Sequence, residues 1–250
     1  MTVAEHARAL IAGATRIVGF TGAGVSTESG VPDFRSEDGL WTRQSMTTLR
    51  EFTSSEETRR EFWEMALDVW STLRDARPNA GHDAFAELHR QGRLELLVTQ
   101  NIESLHQRAG VPAEKVIELH GAATEVACLT CGDRVVADEV GRRLEAGETA
   151  PRCRCGGLLK PAVILFGETL PPGVMARAGA AVEHCDLLLV VGSSLDVEPA
   201  ASLPRIARMA GALLVIVNRD PTPHDDIADV VVRGEIGAVL PALVRRRGKE

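Results

Sequence analysis

What most constrains this chain is a repeated pairing of a short apolar run with a small or polar residue directly after it. The runs occupy residues 16–21, 94–99, 116–119, 162–166, 187–191, 213–217 and 230–232. They show little apolar–polar alternation, which is the pattern of strands buried on both faces. Helix-like segments separate them, so the chain is predicted to be α/β, a doubly wound parallel sheet with right-handed crossovers. In such sheets ligands collect beyond the carboxyl ends of the strands. Gly22, Ala23 and Gly24 stand at the end of the first run, Gln100 and Asn101 at the second, and His120 and Gly121 at the third. Gly167 and Glu168 follow the fourth run, Gly192, Ser193 and Ser194 the fifth, and Asn218 the sixth. Six loops would therefore furnish one cleft.

Two segments break this rhythm. Residues 36–80, with Trp41, Phe52, Phe62, Trp63 and Trp70, read as a helical insertion covering one side of the cleft. Residues 124–159 hold four of the five cysteines and read as a second module, leaving 1–123 and 160–250 as the sheet-bearing domain. Cys128 and Cys131 form one close pair, Cys153 and Cys155 another. Two such knuckles suit one tetrahedral zinc, closed by four thiolates at about 2.3 Å and therefore structural. The second pair has one intervening residue where two are usual, and a redox pair is the alternative reading of the same cysteines. Cys185 stands apart beside an apolar run and reads as a small buried residue.

A length of 250 residues with 44% hydrophobic content suffices for one compact unit carrying an insertion. No run of about 18 apolar residues occurs, so no membrane-spanning helix is expected. Residues 1–16 read as an amphipathic helix, because Glu5, His6 and Arg8 interrupt the unbroken apolar run that a secretory signal needs. A cytoplasmic location follows, where thiols stay reduced. The net charge of -7 argues against broad capture of nucleic acid and suits basic peptide segments better.

Residues 22–30, Gly22-Ala23-Gly24-Val25-Ser26-Thr27-Glu28-Ser29-Gly30, lie between a strand and a probable-helix pattern, where backbone N–H groups and a helix dipole favour a diphosphate. The ordinary dinucleotide fingerprint is absent, since the third glycine comes six residues after the second. Alone, the loop reads equally as a phosphate site or a tight turn. Its continuation, Val31-Pro32-Asp33-Phe34-Arg35-Ser36, adds a carboxylate, an aromatic ring and a guanidinium. The whole run 22–36 closely resembles the cofactor-binding loop of the sirtuin family. Residues 99–106 (TQNIESLH), 118–121 (ELHG), 160–168 (KPAVILFGE) and 192–199 (GSSLDVEP) resemble that family's further motifs, in its order and spacing, from about Gly19 to Pro241.

The resemblance implies a Rossmann-like NAD-binding domain with a small zinc-ribbon module, NAD lying between them. It implies NAD-dependent removal of acyl groups from protein lysine, giving nicotinamide, O-acyl-ADP-ribose and free lysine. His120 would be the base that takes a proton from a ribose hydroxyl, a task suited to a near-neutral imidazole. Asn101 would orient water and ribose hydroxyls through an amide that both donates and accepts, with Gln100 as a second ribose contact. Gly22, Ala23, Gly24, Asp33, Phe34 and Arg35 would hold the cofactor, Phe34 covering the ribose once nicotinamide departs. Ile102 and Glu103 join the cofactor set. Gly192, Ser193 and Ser194 would admit phosphate or ribose close to the backbone, Asn218 would meet the adenosine ribose, and Gly234, Glu235 and Ile236 the adenine. An acyl-lysine peptide would add as a strand between Gly167-Glu168 and residues 196–198, which include Val197. Ile164 would bond the acylated nitrogen through its carbonyl, with Phe166 beside the alkyl chain. His82 and His106 read as structural.

Two departures from the family pattern matter. Glu103 stands where the family usually has Asp, associated with the nicotinamide amide, and one methylene moves a carboxylate by about 1.3–1.5 Å. Altered nicotinamide inhibition is expected. The subgroup that removes acidic acyl groups carries a Tyr and an Arg in the acyl pocket; the comparable stretch here is Phe62-Trp63-Glu64-Met65-Ala66, and the chain has no tyrosine. Neutral acyl groups, acetyl or longer, are therefore expected, and Leu165 in place of an aromatic leaves room for long aliphatic or lipoyl-like ones. Two other readings stay open: mono-ADP-ribosyl transfer or NAD hydrolysis in the same cleft, and a non-enzymatic NAD or ADP-ribose sensor.

Overall fold

The computed structural model describes residues 1–33 and 47–245. Six parallel strands form the main sheet: β1 (Ile17–Thr21), β2 (Leu94–Thr99), β3 (Val116–Glu118), β7 (Leu187–Val191), β8 (Leu213–Val217) and β9 (Val230–Val232). Their spatial order is β3-β2-β1-β7-β8-β9. Winding runs outward in both directions from the β1–β7 pair, so the crevice expected of a doubly wound sheet opens between those two strands.

The two-period of the strands divides the core into two layers. Leu187, Leu189 and Val191 of β7 pack with helices α1 (Val3–Gly13), α4 (Ala80–Arg90) and α9 (Ile236–Val244). Leu188 and Val190 pack on the opposite face, with α7 (Val174–Glu183) and α8 (Leu203–Met209). Every residue of β1 and β7 is buried, which is why these runs lack alternation. Two of these helices start at side-chain caps written in the sequence. Thr2 and Glu5 form a capping box for α1, and Asn79 receives the backbone N–H groups of Gly81 and His82 at the head of α4.

The expected helical insertion contains α2 (Leu49–Ser54) and α3 (Glu56–Asp75) among its described residues. Trp41 lies outside the described residues. The cysteine-bearing segment builds a three-stranded antiparallel sheet, β5 (Arg134–Val136), β4 (Gly121–Cys128) and β6 (Leu159–Val163), with α6 (Ala137–Glu145) against it. One strand expectation needs correction. Residues 162–166 were expected to be a parallel strand of the main sheet; the strand in fact spans Leu159–Val163 and pairs antiparallel with β4. The reason is burial: only Leu159 and Lys160 of β6 are fully covered, while its remaining residues are half-buried, and a central parallel strand must be covered on both faces.

At the switch point the loops after β1 and β7 touch backbone to backbone. The Gly24 N–H donates to the Gly192 carbonyl at 2.9 Å. A β-carbon at Gly22 would lie 2.8 Å from the Gly192 oxygen, and one at Gly24 would lie 2.9 Å from the Gly192 Cα. Gly192 itself has φ +63°, and its β-carbon would meet the Val25 nitrogen at 2.4 Å. Glu28 then ties the loop to α9, its carboxylate accepting the Gly237 N–H at 2.7 Å at a helix start without a cap of its own. Gly192→Ala should therefore lower the unfolding free energy by about 3 kcal/mol, combining left-handed strain with overpacking. Gly30→Ala, at φ +79° with nothing near its β-carbon, should cost about 1–2 kcal/mol from strain alone. Denaturant titration of both variants checks the difference, and equal losses would contradict the contact.

Candidate active site

Beyond the strand ends lies one cavity of about 1050 Å³, at the upper end of the roughly 300–1,000 Å³ of ordinary ligand sites. Gly22, Ala23, Gly24 and Asp33 line it from the first loop, Gln100, Asn101 and Ile102 from the second, and His120 from the third. Gly192, Ser193, Ser194 and Val197 line it across the switch point, with Asn218 and Ile236 beyond them. Ile164, Phe166, Gly167 and Glu168 close the side next to the small sheet. Phe34 and Arg35 lie outside the described residues. Glu103 does not line this cavity; it lines an adjoining one of about 20 Å³, together with Ala23, Ser26, Val31 and Asn101.

His120 is held by its neighbours in one tautomer. Its Nδ1 lies 3.0 Å from the Gln100 carbonyl. A carbonyl only accepts, so the neutral ring carries its proton on Nδ1 and presents Nε2 as a bare acceptor. Burial pushes the pKa below the ordinary histidine value, while the Gln100 carbonyl opposes that shift. Gly121 is required next to it: at φ +75°, its β-carbon would fall 2.0 Å from the Ala162 oxygen. The Ile164 N–H donates to the His120 carbonyl at 2.9 Å, which fixes the histidine against the end of β6.

Behind Asn101 runs a buried polar network. Ser26 Oγ donates to Glu103 Oε1 at 2.5 Å. Asn101 Nδ2 donates to the same oxygen at 2.9 Å and to Ser26 Oγ at 3.1 Å. The Ile102 N–H holds the other Glu103 oxygen at 3.0 Å. His82 accepts the Asn79 N–H on Nδ1, leaving Nε2–H facing Ser26 Oγ at 3.3 Å. Burial takes the His82 pKa down to about 4 and drives that of His106 well below the usual range. The two neutral rings lie 4.8 Å apart, and His106 Nε2 meets Thr21 Oγ1 at 3.0 Å. The network fixes the Asn101 amide, whose Oδ1 is buried and without a partner among the described residues. Such an orphaned acceptor in a cavity wall fits a hydroxyl-bearing ligand.

Other polar groups in the wall are already engaged by the protein. Gln100 Nε2 donates to Ser193 Oγ at 2.8 Å, bridging the loops of β2 and β7. Asn218 Nδ2 donates to the Asp220 carbonyl at 2.8 Å. The Glu168 carboxylate takes Lys160 Nζ and the Leu165 N–H, each at 3.0 Å, and so shapes its segment from within. Sequence reasoning quoted Ser26 only as part of the glycine run and missed its central place in the network. A hydroxyl two residues past Gly24 was the available signal.

The four paired cysteines converge. Their sulfurs all lie within 4.8 Å of one another, with Cys128–Cys155 at 3.6 Å and Cys131–Cys153 at 3.7 Å. Thiolates at about 2.3 Å from a tetrahedral zinc would stand about 3.8 Å apart, so the set fits that ion and leaves no position open for water. No disulfide joins any of the four. Backbone N–H groups, that of Cys131 foremost, bring the Cys128 thiol down to about 6. Gly157 is packed under the cluster, where a β-carbon would lie 2.6 Å from Cys128 Sγ.

A model of the Sir2 family matches residues 22–199. The chain belongs to the Sir2 family. Among its curated relatives, a Streptomyces coelicolor protein named NAD-dependent protein deacetylase 2 is 48% identical over 91% of this chain and 96% of the relative. An Archaeoglobus fulgidus protein named NAD-dependent protein deacylase 2 is 45% identical over 96% and 94%. A solved Sir2 structure with a deacetylated p53 peptide and 3'-O-acetyl ADP-ribose superposes with a TM-score of 0.89, at 36% identity and 97% coverage of both chains. The Sir2 membership agrees with the NAD and zinc expected from the sequence: the glycine cradle and the orphaned Asn101 oxygen suit the first, the four converging thiols the second.

Metal analysis of the purified chain should find about one zinc per molecule, the capacity of one four-thiolate site, and Cys128→Ser should remove it and lower the unfolding midpoint. A folded, metal-free chain with all four thiols open to a thiol reagent would contradict the assignment.

Proposed function

We propose that this Sir2-family chain removes neutral acyl groups from lysine side chains of proteins, consuming NAD. The observation that carries the reading is His120, a neutral imidazole with Nε2 unprotonated, in the same cavity as the glycine cradle and Ile164–Glu168. NAD, when bound, supplies the ribose carbon that receives the acyl oxygen as nicotinamide leaves. His120 Nε2 takes the proton of a ribose hydroxyl, and Nδ1–H on the Gln100 carbonyl steadies the imidazolium that results. Asn101, held by Ser26 and Glu103, directs its amide at the same ribose. Gly22, Ala23, Gly24, Gly192, Ser193 and Ser194 would let the cofactor's phosphates and ribose approach the backbone closely, with Asp33 from the same loop and Asn218 and Ile236 as further contacts toward the adenosine.

The peptide adds as a strand between Gly167-Glu168 and Val197, where main-chain bonds give affinity without much sequence preference. A solved Sir2 relative holds a p53 peptide together with NAD+, which supports a peptide substrate. Cys128, Cys131, Cys153 and Cys155 hold a zinc that maintains the fold of the module at 124–159, with 1–123 and 160–250 as the cofactor-binding unit. Among the described residues no helix is long and apolar enough to cross a membrane. We take the enzyme to act in the cytoplasm on acyl-lysine proteins, without binding nucleic acid or membrane.

His120→Ala should lower kcat/KM for an acetyl-lysine peptide about 10²–10⁴-fold and leave NAD binding intact by calorimetry. In the parent enzyme kcat/KM should fall as pH drops through a pKa below the ordinary histidine value, because a protonated imidazole cannot accept. An acid limb above that value would contradict the assignment. Glu103→Asp shortens the carboxylate that now reaches Ser26 and Asn101, and should change the nicotinamide inhibition constant; an unchanged constant would separate Glu103 from the nicotinamide pocket.

A further inference from the structure

Strand β6 is an edge of the small sheet, and an edge strand leaves main-chain groups outside the ladder. On its β4 side, the Leu158 carbonyl accepts the Leu129 N–H and the Ile164 N–H donates to the His120 carbonyl. Main-chain groups alternate along a strand, so the carbonyls of Pro161 and Val163 face the outer edge. Lys160 Nζ donates to both of them and reaches Glu168 Oε2 at 3.0 Å, which uses all three ammonium donors. A lysine that only blunts an edge stays in water; Lys160 is 3% exposed. Its carboxylate partner lies beyond the strand, in the turn Leu165-Phe166-Gly167-Glu168. There the Glu168 N–H donates to the Leu165 carbonyl at 3.0 Å and Gly167 has the positive φ, +76°, that a type II turn requires. The Glu168 carboxylate closes the turn a second time by accepting the Leu165 N–H at 3.0 Å.

We infer that Lys160 and Glu168 are positioning residues for the acyl-lysine peptide, an inference that rests on the deacylase reading. The ion pair locks the end of β6 to the turn, and Ile164, Gly167 and Glu168, the residues the peptide would join, lie within the locked segment. Strand addition needs a partner edge already held in one register, and an edge that must be ordered on binding weakens affinity. A buried ion pair adds little net stability; its best-attested use is to hold one arrangement over its alternatives. Covering the two edge carbonyls would not need the carboxylate eight residues further on, whereas fixing the turn does. The loops of the glycine cradle are joined by other contacts, Gly24 to Gly192 and Gln100 to Ser193. The pair therefore acts on the peptide and leaves the cofactor alone.

The test uses the full zinc-loaded chain, NAD and an acetyl-lysine peptide. Glu168→Gln keeps the size of the side chain and removes its charge; Lys160→Met keeps the stem and removes the ammonium. Either should raise the peptide KM at least about tenfold, the scale of a lost charge-assisted hydrogen bond. The NAD dissociation constant, by calorimetry, should stay within about twofold, as for a site without shared partners. The double variant should be no worse than the poorer single one, because both break the same link; losses that multiply would overturn the pair as a unit. An unchanged peptide KM, or an equal loss of NAD affinity, would overturn the positioning role and leave the deacylase reading standing. Should Lys160→Met fail to fold, Glu168→Gln decides by the same two constants. If the parent chain turns over no acyl peptide, the deacylase reading fails and peptide binding decides: weaker binding by Glu168→Gln supports the positioning role. Equal binding, or none by the parent, overturns it.

Discussion

The approach of two backbones at the switch point is the constraint on which the rest of the structure depends. Gly24 and Gly192 meet with no side chain between them, and the hydrogen bond joining them crosses from one half of the sheet to the other. The contact sets where the first loop lies, and with it the floor of the cavity. A β-carbon on either residue would push the two halves apart. The Glu28 carboxylate at the start of α9 secures the other side of the same loop.

The second layer of control is electrostatic and lies out of sight of the cavity. His82, His106, Thr21, Thr99, Ser26 and Glu103 are all buried, and hydrogen bonds among them hold Ser26, Glu103 and the Asn101 backbone in place beside the cavity. A buried network of this kind is rigid when satisfied and costly when broken. Glu103 illustrates how a departure from a family pattern can be absorbed: the longer side chain finds Ser26, Asn101 and the Ile102 N–H as partners. His120 needs less support, since one backbone carbonyl decides its tautomer.

The small antiparallel sheet contributes in two ways. Its four cysteine sulfurs converge so that an ion held by them would have no position open for water, and its strand β6 delivers Ile164 to the backbone of His120. Its helix α6 also lines the cavity opposite α3, so the module helps to shape the space beyond the strand ends.

The sequence by itself determined the α/β class, the six parallel runs other than the misassigned 162–166, the pairing of the four cysteines that converge and the loops that carry polar residues to one cleft. These were legible because they rest on local signals: unbroken apolar runs, paired cysteines and glycines at turns. Only the tertiary structure decided that residues 159–163 leave the main sheet, that Ser26 joins Asn101 to Glu103, and that most of the wall of the cavity is apolar. Those features depend on which sides of each element are covered and on contacts between residues some 75 positions apart, as in the Asn101–Ser26 bond. Burial and long-range hydrogen bonding are properties of packed elements, and no local pattern encodes them.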